Sequence, residues 1–148
     1  MTKQDVMEAI EREWNAFAGL AESFPEQDRV RPGAVGYWNV HEALLHVAAW
    51  DNETILLVRQ FGETGAKPGW LGQSGDVVHY LNERQVAERR NLGPSLIRGH
   101  FRDTHQALVE FLETCDGFTP LQEIAEATGL SISTLQRLFQ TVHGMSAF

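Results

Sequence analysis

Cys115 is the lone cysteine of the chain, so no internal disulfide can form and nothing in its usage points to export. It lies near a predicted helix C-terminus, where a thiolate gains no stabilisation, which argues against a nucleophilic role. No apolar run approaches the roughly 18 residues that a membrane span needs. The N-terminus, MTKQDVMEAIEREW, is charged and periodic, without a secretory core. The expectation is a cytoplasmic protein with no membrane contact. Positive charge is scarce as well: 12 Lys and Arg stand against 20 Asp and Glu, a net charge of −8. A surface that acidic repels phosphate backbones, so nucleic acid is disfavoured as a partner. Sustained period-two alternation, internal repeats and low-complexity tracts are absent too, which leaves no signature of a sheet.

What is present is helical periodicity in a chain of ordinary globular composition, with 43% hydrophobic and 22% charged residues over 148 positions, the size of one domain spanning 1–148. Thr2 to Asp5 resembles a capping box, after which Val6, Ile10, Trp14, Phe17, Leu20 and Phe24 recur at helical steps until Pro25. PEQDRVRPGAVG reads as loop. Asn39 then caps a second helix, with Glu42 three residues on and Trp38 as a staple, running to about Phe61 before Gly62. The glycine-rich stretch GETGAKPGWLGQSG is a crossover loop, Asp76 opens a shorter helix, and Gly93-Pro94 separates that from a last one over about Ser95 to Thr114. The prediction is all-α.

One face of the second helix carries the chemistry. Asn39, Glu42, His46, Trp50 and Glu53 recur at steps of three or four and share a stripe. His46 can ligate a metal or carry a proton, Glu53 can exchange one, and Trp50 offers a flat apolar wall. The same spacing equally describes a hydrogen-bonded core histidine with tryptophan packing. Trp14 sits beside Glu11 and Asn15 on the first helix, Asn82 lies on the third, and Trp70 is either a lid or an anchor on the glycine-rich loop. Arg89 and Arg90 read as a solvated helix end.

The combination of EREWNAF, RPGAVGYWNVHEALLHVAAWD, NERQVAERR and HFRDTHQALVEFL, over roughly residues 3 to 115, resembles the DinB superfamily. Within it, the W-N-V-x-E-x-L-x-H-V-A-A-W-D run is most similar to the ClbS/DfsB branch. The resemblance implies a four-helix bundle with a long crossover between its second and third helices. It also implies a small-molecule ligand in an interhelical cleft and, if the protein is an enzyme, hydrolase or transferase chemistry on a reactive substrate. On that reading His46 and Glu53 are the proton-handling pair, and Trp14, Asn39, Glu42, Trp50, Trp70 and Asn82 line the substrate site. Many members hold a divalent ion such as Zn or Ni, for which His46 is the first candidate ligand here, and a three-histidine site would need two more donors from His100, His105 and His143. Ser131 and Leu135 stand where the last-helix histidines would be, and neither is a strong ligand. His41 with His46, and His100 with His105, are spaced by five, about 140° around a helix, which turns each pair away from a common ion. A homodimer is compatible with such a bundle.

The tail, from Phe118 to Phe148, supports two expectations. As the last bundle helix it would cover an apolar groove left by the others. Its EIAEATGLSISTLQRLFQTVHGMS run also resembles one helix-turn-helix of an AraC-type regulator, with only Glu123, Glu126 and Arg137 charged. The alternatives to the cleft protein are therefore a ligand-sensing transcriptional regulator and a non-catalytic dimeric interaction protein.

Overall fold

The computed structural model describes residues 2–66, 69 and 75–114, and among them the chain is all-α. Helix α1 spans Lys3–Ser23 and α2 spans Val40–Thr64. Helix α3 spans Gly75–Ala87 and α4 spans Pro94–Thr114. Between α1 and α2 lie one 3₁₀ turn, Glu26–Asp28, and an isolated antiparallel bridge from Val35 to Trp38. The expected last bundle helix over 118–148, the tail histidine His143 and the loop tryptophan Trp70 lie outside the described residues.

Helices α1 and α2 begin where the sequence satisfies the first free amides. The Thr2 hydroxyl accepts from the Asp5 amide at 3.2 Å, and the Asp5 carboxylate accepts from the Thr2 amide at 2.7 Å. Those bonds hold the Asp5 carboxyl below its ordinary pKa. Asn39 does the same for α2, accepting from the Glu42 amide at 2.8 Å while Glu42 accepts from the Asn39 amide at 3.3 Å. The stop expected at Gly62 is not used. A glycine inside a helix costs only about 1 kcal/mol, and the backbone turns left-handed at Gly65 instead (φ 67°), whose amide donates to the Phe61 carbonyl at 2.8 Å.

Helix α2 is the centre of the bundle. Val40, His41, Ala43, Leu44, Leu45, His46, Val47 and Ala48 are all buried, so this half of the helix is enclosed on every side. One core cluster gathers Phe17 and Ala21 of α1, Trp38, the first turns of α2, Val86, and Ile97 and Phe101 of α4. A second joins Ile10 of α1, Ile55 of α2, and Leu108 and Leu112 of α4. Both clusters hold α1, α2 and α4 together along their length, whereas α3 reaches the core through Val86 alone.

Candidate functional site

Two residues of the α2 stripe expected to line a cleft, Glu42 and Trp50, have protein partners in α3 and the turn after it. Trp50 donates its indole N–H to the Asn82 Oδ1 at 2.7 Å, which brings together two of the residues singled out in the sequence. Glu42 completes its capping box and also receives Arg90, Nη2 at 2.9 Å and Nε at 3.2 Å on one carboxylate oxygen. Arg90 is therefore a tie between the turn after α3 and the start of α2, not a freely solvated helix end. His46 is buried at 3% exposure, with its ring 4.9 Å from that of Trp38 and tilted by 45°. Glu53 is half-buried, and burial raises its carboxyl above the usual range. Seven residues of helix separate it from His46, roughly 10 Å of rise, so the two exchange no proton directly.

Trp14 stands on the other side of α2. Its indole stacks on the His105 ring at 4.2 Å and 12°, and on Phe101 at 4.7 Å and 15°. His105 is 6% exposed and lies between carboxylates of two other helices. Its Nε2 is 2.9 Å from Glu11 Oε1 of α1, and its Nδ1 is 3.8 Å from Asp51 Oδ2 of α2. Asp51 is wholly buried although its neighbour Trp50 reaches for α3. This Glu11–His105–Asp51 row under Trp14 was missed by the stripe argument. The signal was available: Ile97, Phe101, Leu108 and Leu112 define the apolar face of α4, and position 105 falls on it.

Two more histidines are set by their surroundings. Burial first, then the charges of Arg98 and Arg29, lowers the His41 pKa, with Glu26 opposing. Burial and then Arg89 lowers that of His100, with Asp103 opposing. Among the described residues no group of three His, Cys, Asp or Glu side chains is placed to hold a metal ion, His46 included. No helix among them is long and apolar enough to cross a membrane.

Comparison with known families points to the end of the chain. The model of the IclR helix-turn-helix domain matches residues 107–145. No match to a curated protein or to a solved structure accompanies it. The matched segment is about a quarter of the chain and contains the run that resembles an AraC-type motif; the DinB-like resemblance of residues 3–115 has no counterpart in these comparisons.

That match overturns the expectation that nucleic acid is disfavoured as a partner. The expectation rested on the net charge of −8 and on the scarcity of basic residues in the tail itself. From Phe118 to Phe148 only Glu123, Glu126 and Arg137 are charged, so one of the eight net negative charges falls there and the rest belongs to the helical body. Ser, Thr and Gln side chains, plentiful in that segment, also contact DNA phosphates without any net positive charge.

The match also starts inside α4. Its first residues, 107–114, are the last two turns of that helix. Leu108 and Leu112 are buried in the second core cluster with Ile10 and Ile55. The Arg59 guanidinium lies 5.5 Å from the Phe111 ring centre, and Lys3 Nζ donates to the Glu113 carbonyl at 2.8 Å. The beginning of the matched segment is part of the bundle core.

Proposed function

We propose that the protein is a DNA-binding transcriptional regulator in which segment 107–145 contacts DNA and the helical body controls it. The match to the IclR helix-turn-helix domain carries this reading. The packing of α4 supports the control. Any change in how α4 sits against α1 and α2 is delivered directly to the first residues of the matched segment, because they are the same helix. The interior of the body is the natural place for a small-molecule signal, since two discrete packings of a core helix are how a ligand biases a distant surface.

A gel shift of the full-length protein on a pool of random-sequence duplexes at low salt tests the reading. Retardation that fades as salt rises is expected, because phosphate contacts release counterions. Free migration of every duplex at the lowest salt would remove it.

A further inference from the structure

The row of Glu11, His105 and Asp51 joins three helices through one titratable ring, and its geometry sets the charge that suits that ring. His105 is 6% exposed. Its Nε2 is 2.9 Å from Glu11 Oε1, a hydrogen bond. Its Nδ1 is 3.8 Å from Asp51 Oδ2, within reach of an ion pair but too long for a hydrogen bond. A neutral imidazole has one N–H to share between these two carboxylates. Placed on Nε2, the proton serves Glu11 and turns the Nδ1 lone pair toward the Asp51 carboxylate. Placed on Nδ1, it leaves a lone pair facing Glu11 at hydrogen-bonding distance. Either tautomer sets an electron pair against oxygen, whereas the imidazolium presents an N–H to each side. Trp14 stacks on the same ring at 4.2 Å, and an indole face is the aromatic surface that holds a cation best. Among the described residues no other charged side chain pairs with this ring. On α1, Glu8 is exposed and accepts from the Gln4 side chain at 2.9 Å, and Arg12 pairs with Glu13 at 3.5 Å. On α2, Glu53 is two positions from Asp51, about 200° around the helix. On α4 itself, Arg102 and Asp103 are exposed.

We propose that His105 is a proton-operated latch: doubly protonated, it ties α4 to α1 and α2 at once, and losing one proton releases the C-terminal turns of α4. The latch sits where release has a consequence. His105 precedes the matched segment by two residues, and Leu108 and Leu112 follow it on the same apolar face. A charged ring held by its partners contributes fully below the ordinary histidine value of about 6.5. That contribution is lost as pH rises and the ring gives up its second proton. The sense is opposite to that of a histidine kept neutral by burial, such as His41, so the signature is local to α4 and distinct from overall stability. A link to DNA rests on the reading of segment 107–145 as DNA-binding; the latch within the bundle does not, and its test contains no DNA.

The test follows the full-length protein by NMR, with each histidine ring assigned by correlation to its own backbone. At about pH 7.5 both ring nitrogens of His105 should show imidazolium shifts while the exposed His79 ring is neutral. Amides of residues 105–114, corrected for intrinsic exchange, should exchange about tenfold faster at about pH 9 than at about pH 6. That dependence should vanish in His105→Gln. Glu11→Gln keeps an acceptor at the half-exposed end of the row and removes its charge, so the ring should bind its second proton about tenfold more weakly. Glu8→Gln, one turn away, should leave proton binding as in wild type. Should His105→Gln fail to fold, the wild type and Glu11→Gln decide. A neutral His105 ring at about pH 7.5, α4 amides whose protection ignores pH, or a Glu11→Gln ring with wild-type proton affinity overturns the proposal. A protein that shows the latch but retards no duplex would remove the DNA reading alone.

Discussion

The two sides of α2 are held by different physics. Toward α1 and α4 the contact is continuous: two apolar clusters, a stack of Trp14 on Phe101 and His105, and one polar row from half-exposed Glu11 through His105 to Asp51. Toward α3 the contact is sparse and specific, resting on Val86, the Trp50–Asn82 hydrogen bond and the Glu42–Arg90 pair. A side built on burial loses stability in large steps when it is cut. One built on discrete polar pairs loosens in small steps and can move without the rest. The difference matters because α4, on the strongly held side, holds the first residues of the segment that matches the IclR helix-turn-helix domain.

The largest effect should come from the α4 side. Leu108→Ala removes a fully buried side chain from the cluster that includes the start of the matched segment and should cost about 3 kcal/mol in denaturant unfolding. His105→Ala should cost a comparable amount, about 3 kcal/mol, because it empties a buried position stacked on Trp14 and removes the partner of Glu11. If either variant keeps wild-type stability, the contrast between the two sides is wrong. On the α3 side, Trp50→Phe keeps the ring and loses the donor to Asn82, for an expected loss of about 1 kcal/mol. Arg90→Ala should cost only about 0.5 kcal/mol, since the pair with Glu42 is partly solvated. A loss at Arg90 as great as that at Leu108 would erase the distinction.

The smallest effect is one of pH. His41 and His100 have folded pKa values below 6.5, so the unfolded chain takes up their protons first as pH falls. Their contribution is fully present above about pH 6.5 and is lost as pH drops through the folded values. Glu53 acts in the opposite sense: its raised pKa favours the folded state at acid pH, an advantage lost as pH rises through the folded value. Stability measured on the acid side of neutrality should therefore fall, and His100→Gln should flatten the slope. An unchanged slope in that variant removes His100 from the account.

Much of the fold was legible from local rules. Both capping boxes, at Thr2 and Asn39, and the Pro94 helix start are decided by residues within one turn of each other. The end of α2 was not, because Gly62 and Gly65 compete as stops and only the packed structure selects between them. The site was harder for a different reason. Spacing places Asn39, Glu42, His46, Trp50 and Glu53 on one face, but it cannot say what faces them. Asn82 and Arg90 lie tens of residues away in sequence. The Glu11–His105–Asp51 row joins three helices, so no single window contains it. The charge argument failed because a near-neutral tail with one arginine was set against DNA, although polar side chains also hold phosphates.

Equilibrium binding of the full-length protein to a duplex as a function of salt tests the DNA-binding claim most directly. The account predicts measurable affinity at low salt and a negative slope of log affinity against log salt concentration. It also predicts, for Arg137→Ala, weaker binding with a slope shallower by about one. No affinity at any salt, or an Arg137→Ala protein with wild-type affinity and slope, would contradict it.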